Sequence, residues 1–434
     1  MNKSLYIVAF SLAFATTGIA QNNEGQDKVI DLGTQTTTEL RKTQAVSTIY
    51  SNELDKNAAT SPYNAIYGLL PGLSVMQNTS WGTDKSRLNV RGRGSLNGDT
   101  PLFVVDGFAR PLEYINLSEI ESISVLKDGA ATALWGGRGA NGVVLITTKR
   151  GIYSQKDIKV DYKFGLGFPV NQPEFADAYT YAKARNEALR YDGLQPDMDE
   201  ASFLSGGNSD LYPNVDWQKE ALRNHTTSHQ LDITFRGGGK RLRYFSVLNY
   251  KNDMGLLNSK YTDYTDRYNS QMKKYFLNLR MNLDVDITDA TKLKLSMLGM
   301  LRETKRPTTS EATLFEQIFN TPSAAFPVQT QNGFWGSNNV LKTNPIANLA
   351  DVGYYKLNQR MLQADLRLVQ DLSVLTRGLS AELAIAYDNN ATYQETAKKS
   401  FMYQTIEKGT DGEPIYTNYG NPNDELEISN KGLA

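Results

Sequence analysis

The sequence predicts a mainly β protein: a small α+β domain followed by antiparallel strands that cross a membrane as part of a barrel. Three observations predict it. Between Trp81 and Gly151, apolar β-branched runs are bounded by Asp-Gly and Asn-Gly pairs, the pattern of short strands joined by tight turns. From Asp157 onward apolar and polar residues alternate, in stretches near the ten or so residues that a tilted membrane-spanning strand needs. The connections between those stretches alternate between short and long.

Composition narrows the function. Basic and acidic residues number 46 and 47, so a general attraction to nucleic acid is not expected. There is no cysteine, hence no disulfide framework and no thiolate metal site. Two histidines against 24 tyrosines and 34 glycines argue against a histidine-based enzyme and suit a β protein with interfacial aromatic belts.

Residues 1–20 read as a signal peptide: Lys3, then the apolar run Leu5 to Ala15, then Gly18-Ile19-Ala20. That run is too short to span a bilayer as a helix. Export and a mature start near Gln21 are expected. Residues 21–44 are polar and expected to be flexible. Within them Val29, Ile30, Asp31 and Leu32 form a β-prone segment, able to add as a strand to a partner's sheet edge.

The α+β domain is expected over residues 45–151. Pro62 suits the first turn of a helix and Gly68 its end, and Leu73 to Val75 returns as a strand. Arg91-Gly92-Arg93-Gly94-Ser95 follows, then Val105-Asp106-Gly107 and the strand Ile120 to Leu126. Asp128 can cap a short helix over Ala130 to Leu134. Arg138-Gly139-Ala140-Asn141-Gly142 then leads into the strand Val143 to Thr148.

These four signatures, in this order and spacing, closely resemble the plug domain of TonB-dependent outer-membrane transporters, in particular the SusC/RagA family. The resemblance is strong from Lys28 to about Tyr250. It implies that Val29 to Leu32 is a TonB box and that Arg91, Gly92, Arg93, Gly94, Asp106, Gly107, Asp128, Arg138, Gly139, Asn141 and Gly142 are plug motif residues. It also implies TonB-dependent import of a glycan, oligosaccharide or peptide, in the outer membrane of a Gram-negative bacterium. The implied partners are the TonB complex of the inner membrane, a SusD-like surface lipoprotein and outer-membrane lipid. Arg91, Arg93 and Arg138 are candidate latches to carboxylates lining the barrel, with bonding inside the plug as an equal alternative.

Other chemistries are weighed and set aside. Gly137 to Gly142 fits G-x-G-x-x-G, but a dinucleotide site needs a helix after the glycines, and here a strand follows. The glycines instead permit positive φ and close backbone approach. Asp106 and Asp128 each sit in a turn or cap context rather than as an acid/base pair. His225 and His229 have metal spacing only if helical, and a strand begins beside the second. No catalytic residue, metal or cofactor is expected.

The second part, residues 157–434, is expected to supply about seven or eight barrel strands. One face carries Val160, Tyr162, Phe164, Leu166 and Phe168, and the pattern recurs through Leu277 to Val285, Leu293 to Met297, Leu362 to Leu368 and Leu379 to Tyr387. Gly237 to Lys240, Thr288 to Thr291 and Leu372 to Gly378 are short links. Pro169 to Ser228, Asn252 to Lys273 and Arg302 to Asn358 are long ones, as in outer-membrane barrels with external loops. The long loops hold an amphipathic helix over Phe175 to Tyr191 and the aromatics Phe315, Phe319 and Phe326. Those three, with Phe334 and Trp335, either stack on sugar rings or pack together, and packing is favoured; Phe334, Trp335 and Trp217 are the candidate substrate aromatics.

Seven or eight strands cannot close around a plug about 30 Å across, whereas plugged transporters use about 22. The chain is therefore expected to be the N-terminal part of an incomplete barrel. The rival readings are a non-transporting outer-membrane receptor or adhesin, and a secreted enzyme.

Overall fold

The structure is a computed structural model describing residues 6–13, 29–32, 36–38, 41–56, 59, 61–77, 86–95, 98–170, 172–265, 267–421 and 424–433. The expected cleavage region at Gly18-Ile19-Ala20, the stretch Gln21 to Lys28 and Trp81 to Lys85 lie outside the described residues. Strands are numbered along the chain. β1 is Tyr6–Ala13, β2 Val29–Asp31 and β3 Thr36–Thr38. The plug strands are β4 Val46–Tyr50, β5 Leu73–Met76, β6 Arg87–Val90, β7 Leu102–Val105, β8 Phe108–Ala109, β9 Ile120–Leu126 and β10 Val143–Thr148.

Five of these build one sheet in the order β4-β9-β10-β7-β8. β10 runs parallel to β7 and antiparallel to β9. The unbroken apolar run of β10 demands cover on both faces. Val144 and Ile146, with Ile123 and Val125 of β9, face a core that holds Leu54, Tyr63, Ile66, Leu88 and Leu112. Val143 and Leu145, with Val104, Leu126 and Val46, face a second, smaller core. The short helix Pro62–Ala65 starts on its proline, and Gly68 follows at φ 73°. Asp128 caps the helix Gly129–Thr132 by accepting from the Ala131 amide at 2.7 Å.

The barrel strands follow: β11 Lys156–Phe168, β12 Thr226–Gly238, β13 Leu242–Met254, β14 Lys273–Asp286, β15 Thr291–Pro307, then β16 Trp335–Ser337, which belongs to a loop sheet, β17 Gly353–Asp371 and β18 Ser380–Lys398. β19 Tyr403–Lys408 and β20 Pro414–Tyr419 join β16 in that loop sheet, and β21 Glu427–Leu433 returns to the large one. The large sheet is antiparallel throughout, in the order β1-β11-β12-β13-β14-β15-β17-β18-β21. Among the described residues it stays open, with β1 and β21 at its edges. The stretch Tyr6–Ala13, within the expected signal peptide, thus occupies the edge of β11, where its backbone meets otherwise unpaired donors and acceptors.

Alternation sorts the two faces. Leu277, Leu279, Met281, Met297, Leu301, Leu362, Leu366, Leu383 and Ile385 are exposed on the convex side. Asn278, Arg280, Asn282, Asp284, Ser296, Gln363 and Asp365, one residue out of phase, are buried on the other. Apolar residues outside and polar residues inside is the arrangement of a membrane barrel and the reverse of a soluble sandwich. The turns β12–β13, β14–β15 and β17–β18 are short, and the links on the opposite end are long.

Those long links fold into a cap. It has its own core of Trp217, Leu222, Leu257, Tyr261, Leu314, Ile318, Phe326, Trp335 and Ile346, drawn from three loops. The helix expected in the first loop runs over Ala178–Tyr191, with Asp177 accepting from Thr180 at its start.

Candidate functional site

The plug is fastened to the polar inner wall along its edge strand β8 and at one end of its sheet. Val105, Ile123, Ile146 and Tyr50 mark that end, and the charged residues just beyond these strands reach the wall. Arg110, following β8, is 3% exposed in its side chain and bonds both Asp365 of β17 and Asp388 of β18. Its Nη1 donates to Asp365 Oδ2 at 2.6 Å and its Nη2 to Asp388 Oδ1 at 2.7 Å. Glu119, preceding β9, is fully buried and accepts from Asn278 Nδ2 and Arg280 Nε of β14, each at 2.5 Å. Burial pushes the Glu119 carboxyl up, against the opposing pull of the Arg280 guanidinium.

Arg150, following β10, completes the set. It donates to Asp284 Oδ1 at 2.7 Å and to Ser296 Oγ at 3.0 Å. Asn282 Nδ2 donates to Thr148 Oγ1 and to the Lys149 carbonyl. From the wall, Arg302 donates to the Glu113 carbonyl and Arg367 to the Asp106 carbonyl. A cavity of about 30 Å³, room for about one water, lies between Glu113 and Asn116 of the plug and Lys274 and Arg302 of the wall.

The motif residues take different parts. Asp106 (φ 48°) and Gly107 (φ 93°) form the tight turn between β7 and β8. The Asp106 carboxylate accepts from the Thr148 amide and hydroxyl. A side chain at Gly107 would meet Arg367 Nη2 at 2.8 Å, so glycine here lets the wall arginine close on the turn. Gly142 (φ 88°) lets β6 approach, since an added Cβ would sit 2.8 Å from the Val90 side chain. Gly139 packs against the Thr132 carbonyl, and Asn141 donates to the Gly98 carbonyl at 3.1 Å. Asp128 also accepts from the Ala45 amide at 2.7 Å, tying the plug's entry strand to its helix. The Ala45 and Ala131 amides hold its carboxyl below the usual carboxylate range.

The latch expected from Arg91, Arg93 and Arg138 is not where those arginines are. Arg93 bonds Asp99 within the plug at 3.0 Å, beside Arg87 on the same carboxylate. Two guanidinium groups depress the Asp99 carboxyl, the Arg87 hydrogen bond contributing most. Arg91, Gly92, Gly94 and Arg138 are exposed, and Arg91 takes φ 57° with its amide bonded to the Gly72 carbonyl. The physical reason is position: these residues lie away from the wall-facing β8 edge, where Arg110 stands, and from the sheet end, where Glu119 and Arg150 stand.

One more expectation is corrected, and for the loop aromatics the packing alternative is the one realised. The segment Val29 to Leu32 is not free: β2 pairs with β3, and Ile30 and Leu32 are buried against Val104, Leu126, Val143 and Leu145. It covers the second face of the plug sheet. Trp217 and Trp335 are not presented for stacking. Trp217 packs edge-on against Phe326 and donates to the Pro322 carbonyl, while Trp335 donates to Asp351. Phe334 is half-buried beside them.

Asp106 and Asp128 lie beyond opposite ends of the plug sheet and form no acid/base pair. His229 lies on a strand, bonded to the Tyr162 hydroxyl at 2.8 Å, and His225 packs near Phe168. Among the described residues no group of three His, Cys, Asp or Glu gathers as a metal site.

The comparisons with known proteins agree with this geometry. Residues 38–143 match the family model described as the TonB-dependent receptor plug domain. The chain is 29% identical over 283 residues to the TonB-dependent receptor SusC of Bacteroides thetaiotaomicron, covering 61% of this chain and 26% of that one. It is 28% identical over 281 residues to the TonB-dependent receptor P26 of Formosa agariphila, covering 63% and 26%. The RagAB peptide importer, solved in an open-open state, superposes with a TM-score of 0.69 at 19% identity, over 86% of this chain and 43% of that one. The chain is similar to SusC/RagA-type TonB-dependent receptors over its plug and the first part of its wall. It spans about a quarter of the length of the curated relatives it matches. Receptors of this type reside in the outer membrane of Gram-negative bacteria, and the apolar outer face of the large sheet fits that place.

Proposed function

We propose that this chain carries the plug and the first part of the wall of an importer that moves a glycan, oligosaccharide or peptide across the outer membrane. The observation that carries the reading is the plug bonded to the polar inner face of a lipid-facing sheet, with a separable β segment tucked beneath it. The names of its relatives, SusC and the RagAB peptide importer, support a nutrient cargo and a SusD-like lipoprotein as lid. No enzymatic step is part of this reading. The leader, residues 1–20, is removed on export, which frees the edge of β11 for another strand.

The energised partner is the TonB complex, and its grip is Val29 to Leu32. For that segment to add as a strand to TonB, it must leave its place on the plug. Burying Ile30 and Leu32 stabilises the docked form by roughly 1.5–3 kcal/mol each, so the pull has work to do. The test is uptake of labelled substrate by cells expressing the full-length receptor with Ile30→Pro. Proline cannot complete the added strand, so uptake should fall to background while surface level and substrate binding persist. Uptake at the wild-type rate would show that the box lies elsewhere.

A further inference from the structure

On the long-loop side, the outward face of the sheet ends in a row that carries three adjacent lysines before Glu395 of β18, which stands opposite Lys356 and accepts from the Tyr354 hydroxyl. Lys273 of β14 stands directly opposite Lys305 of β15, and Lys305 directly opposite Lys356 of β17. All three share the face of exposed Leu277, Met297 and Leu362, because each lies an even number of residues from one of them along its strand. Directly opposed side chains have Cβ atoms about 4.5–5.5 Å apart, and like charges so placed destabilise a sheet. Glu303 offsets part of this, 3.3 Å from Lys305 Nζ and 3.2 Å from Lys356 Nζ. Among the described residues, Lys273 and Arg360 have no carboxylate within ion-pair distance.

The height of this row decides what it faces. Two residues nearer the membrane centre, Tyr275 and Tyr393 lie on one lateral row through Glu303 and Asn358. Aromatic rows of this kind sit at headgroup level. Beneath them β15 is apolar on its outer face from Leu293 to Leu301, about 27 Å along the strand at about 3.4 Å per residue. With a strand tilt of about 35–45° that rises about 19–22 Å, most of the apolar band of about 25 Å on an outer-membrane barrel. The lysines therefore stand just beyond the hydrocarbon on the external side.

We propose that Lys273, Lys305, Lys356 and Arg360 form a binding site for the phosphate of a phosphorylated lipid headgroup in the outer leaflet. The phosphate supplies the counter-charge that the wall lacks, and the acyl chains lie along Leu277, Leu301 and Leu362. Lysines bind phosphate as point charges, and a guanidinium can bind two of its oxygens at once. Arg360, opposite Leu301 and closer to the hydrocarbon, has the long stem that lets a charge extend toward headgroups. This inference rests on the membrane placement of the sheet and not on the transport reading.

The test uses the full-length receptor extracted from its own outer membrane. Native mass spectrometry counts lipid adducts in micelles supplied with phosphorylated outer-leaflet glycolipid, with the same lipid dephosphorylated, or with inorganic phosphate alone. Each lysine near an anionic surface accounts for about fivefold in affinity, so Lys273→Gln should lower adducts about fivefold and the triple Gln variant about a hundredfold. Dephosphorylated lipid should bind as weakly as the triple variant does, and inorganic phosphate should not displace the lipid. Equal adducts on wild type and Lys273→Gln, or equal binding of the dephosphorylated lipid, overturn the proposal. So does a variant that keeps its lipid and loses a co-purifying protein. The single variant touches no ion pair and keeps the test open if the triple variant does not fold.

Discussion

Replacing Arg110 by alanine in the full-length receptor should loosen the plug more than any change at Arg91, Arg93 or Arg138. The substitution leaves Asp365 buried without its partner, and breaking such a pair costs about 3–5 kcal/mol. The Asp388 arm adds little, because that carboxylate is 46% exposed and an exposed pair contributes about 0–1 kcal/mol. At about 1.4 kcal/mol per tenfold, the equilibrium for plug release should shift by roughly a hundredfold to a few thousandfold. Hydrogen exchange of the amides of Leu102 to Ala109 reads this directly, and leakage of a small hydrophilic dye into cells reads its consequence. Arg110→Ala with Asp365→Ala should recover much of the protection, since no uncompensated charge then remains. Wild-type exchange and permeability in the single variant would refute the latch, as would a double variant no better than the single one.

Two further outcomes follow from the plug itself. Gly142→Ala should destabilise the plug by about 1–3 kcal/mol, because it combines φ 88° with a 2.8 Å approach to the branched Val90 side chain. Gly94→Ala, with nothing within 4 Å, should leave the denaturation midpoint unchanged. Asp128 has a carboxyl pKa lowered in the folded plug, so its contribution is present above the ordinary carboxylate range and is lost as pH falls through the lowered value. An acid titration of plug stability should therefore be flatter in Asp128→Asn, which should also be less stable at neutral pH because one of the two oxygens that accept from Ala45 and Ala131 becomes a donor.

Much of the fold was legible because its two parts obey simple periodicities. Period-two alternation located β11 to β15, β17 and β18, and the sequence of short and long links set their inside and outside ends. Glycine and aspartate turns located the plug strands for the same reason, since Asp106-Gly107 and Gly142 need positive φ. The latch was not legible as a set. Arg110, Glu119 and Arg150 are spread along the plug sequence, and only the sheet order brings the edge strand β8, the start of β9 and the end of β10 to one wall. A partial signal existed in the polar half of β14: Asn278, Arg280, Asn282 and Asp284 alternate with leucine and methionine, and such a face needs a polar partner. The docking of Ile30 and Leu32 was hidden for a different reason. A brief apolar segment in a polar tail reads as free until the second face of the Val143 to Ile146 run is seen to need cover.

The central claim is that a plug sits behind a lipid-facing wall, and one spin-label scan tests it most directly. These 434 residues contain no cysteine, so single cysteines can be placed from Leu277 to Leu283 in the full-length receptor once any cysteine elsewhere in it is replaced by serine. Oxygen accessibility in reconstituted membranes should peak at Leu277, Leu279, Met281 and Leu283 and fall at Asn278, Arg280 and Asn282, with period two. Accessibility that is flat along the strand, or that peaks at the asparagines and Arg280, would contradict it.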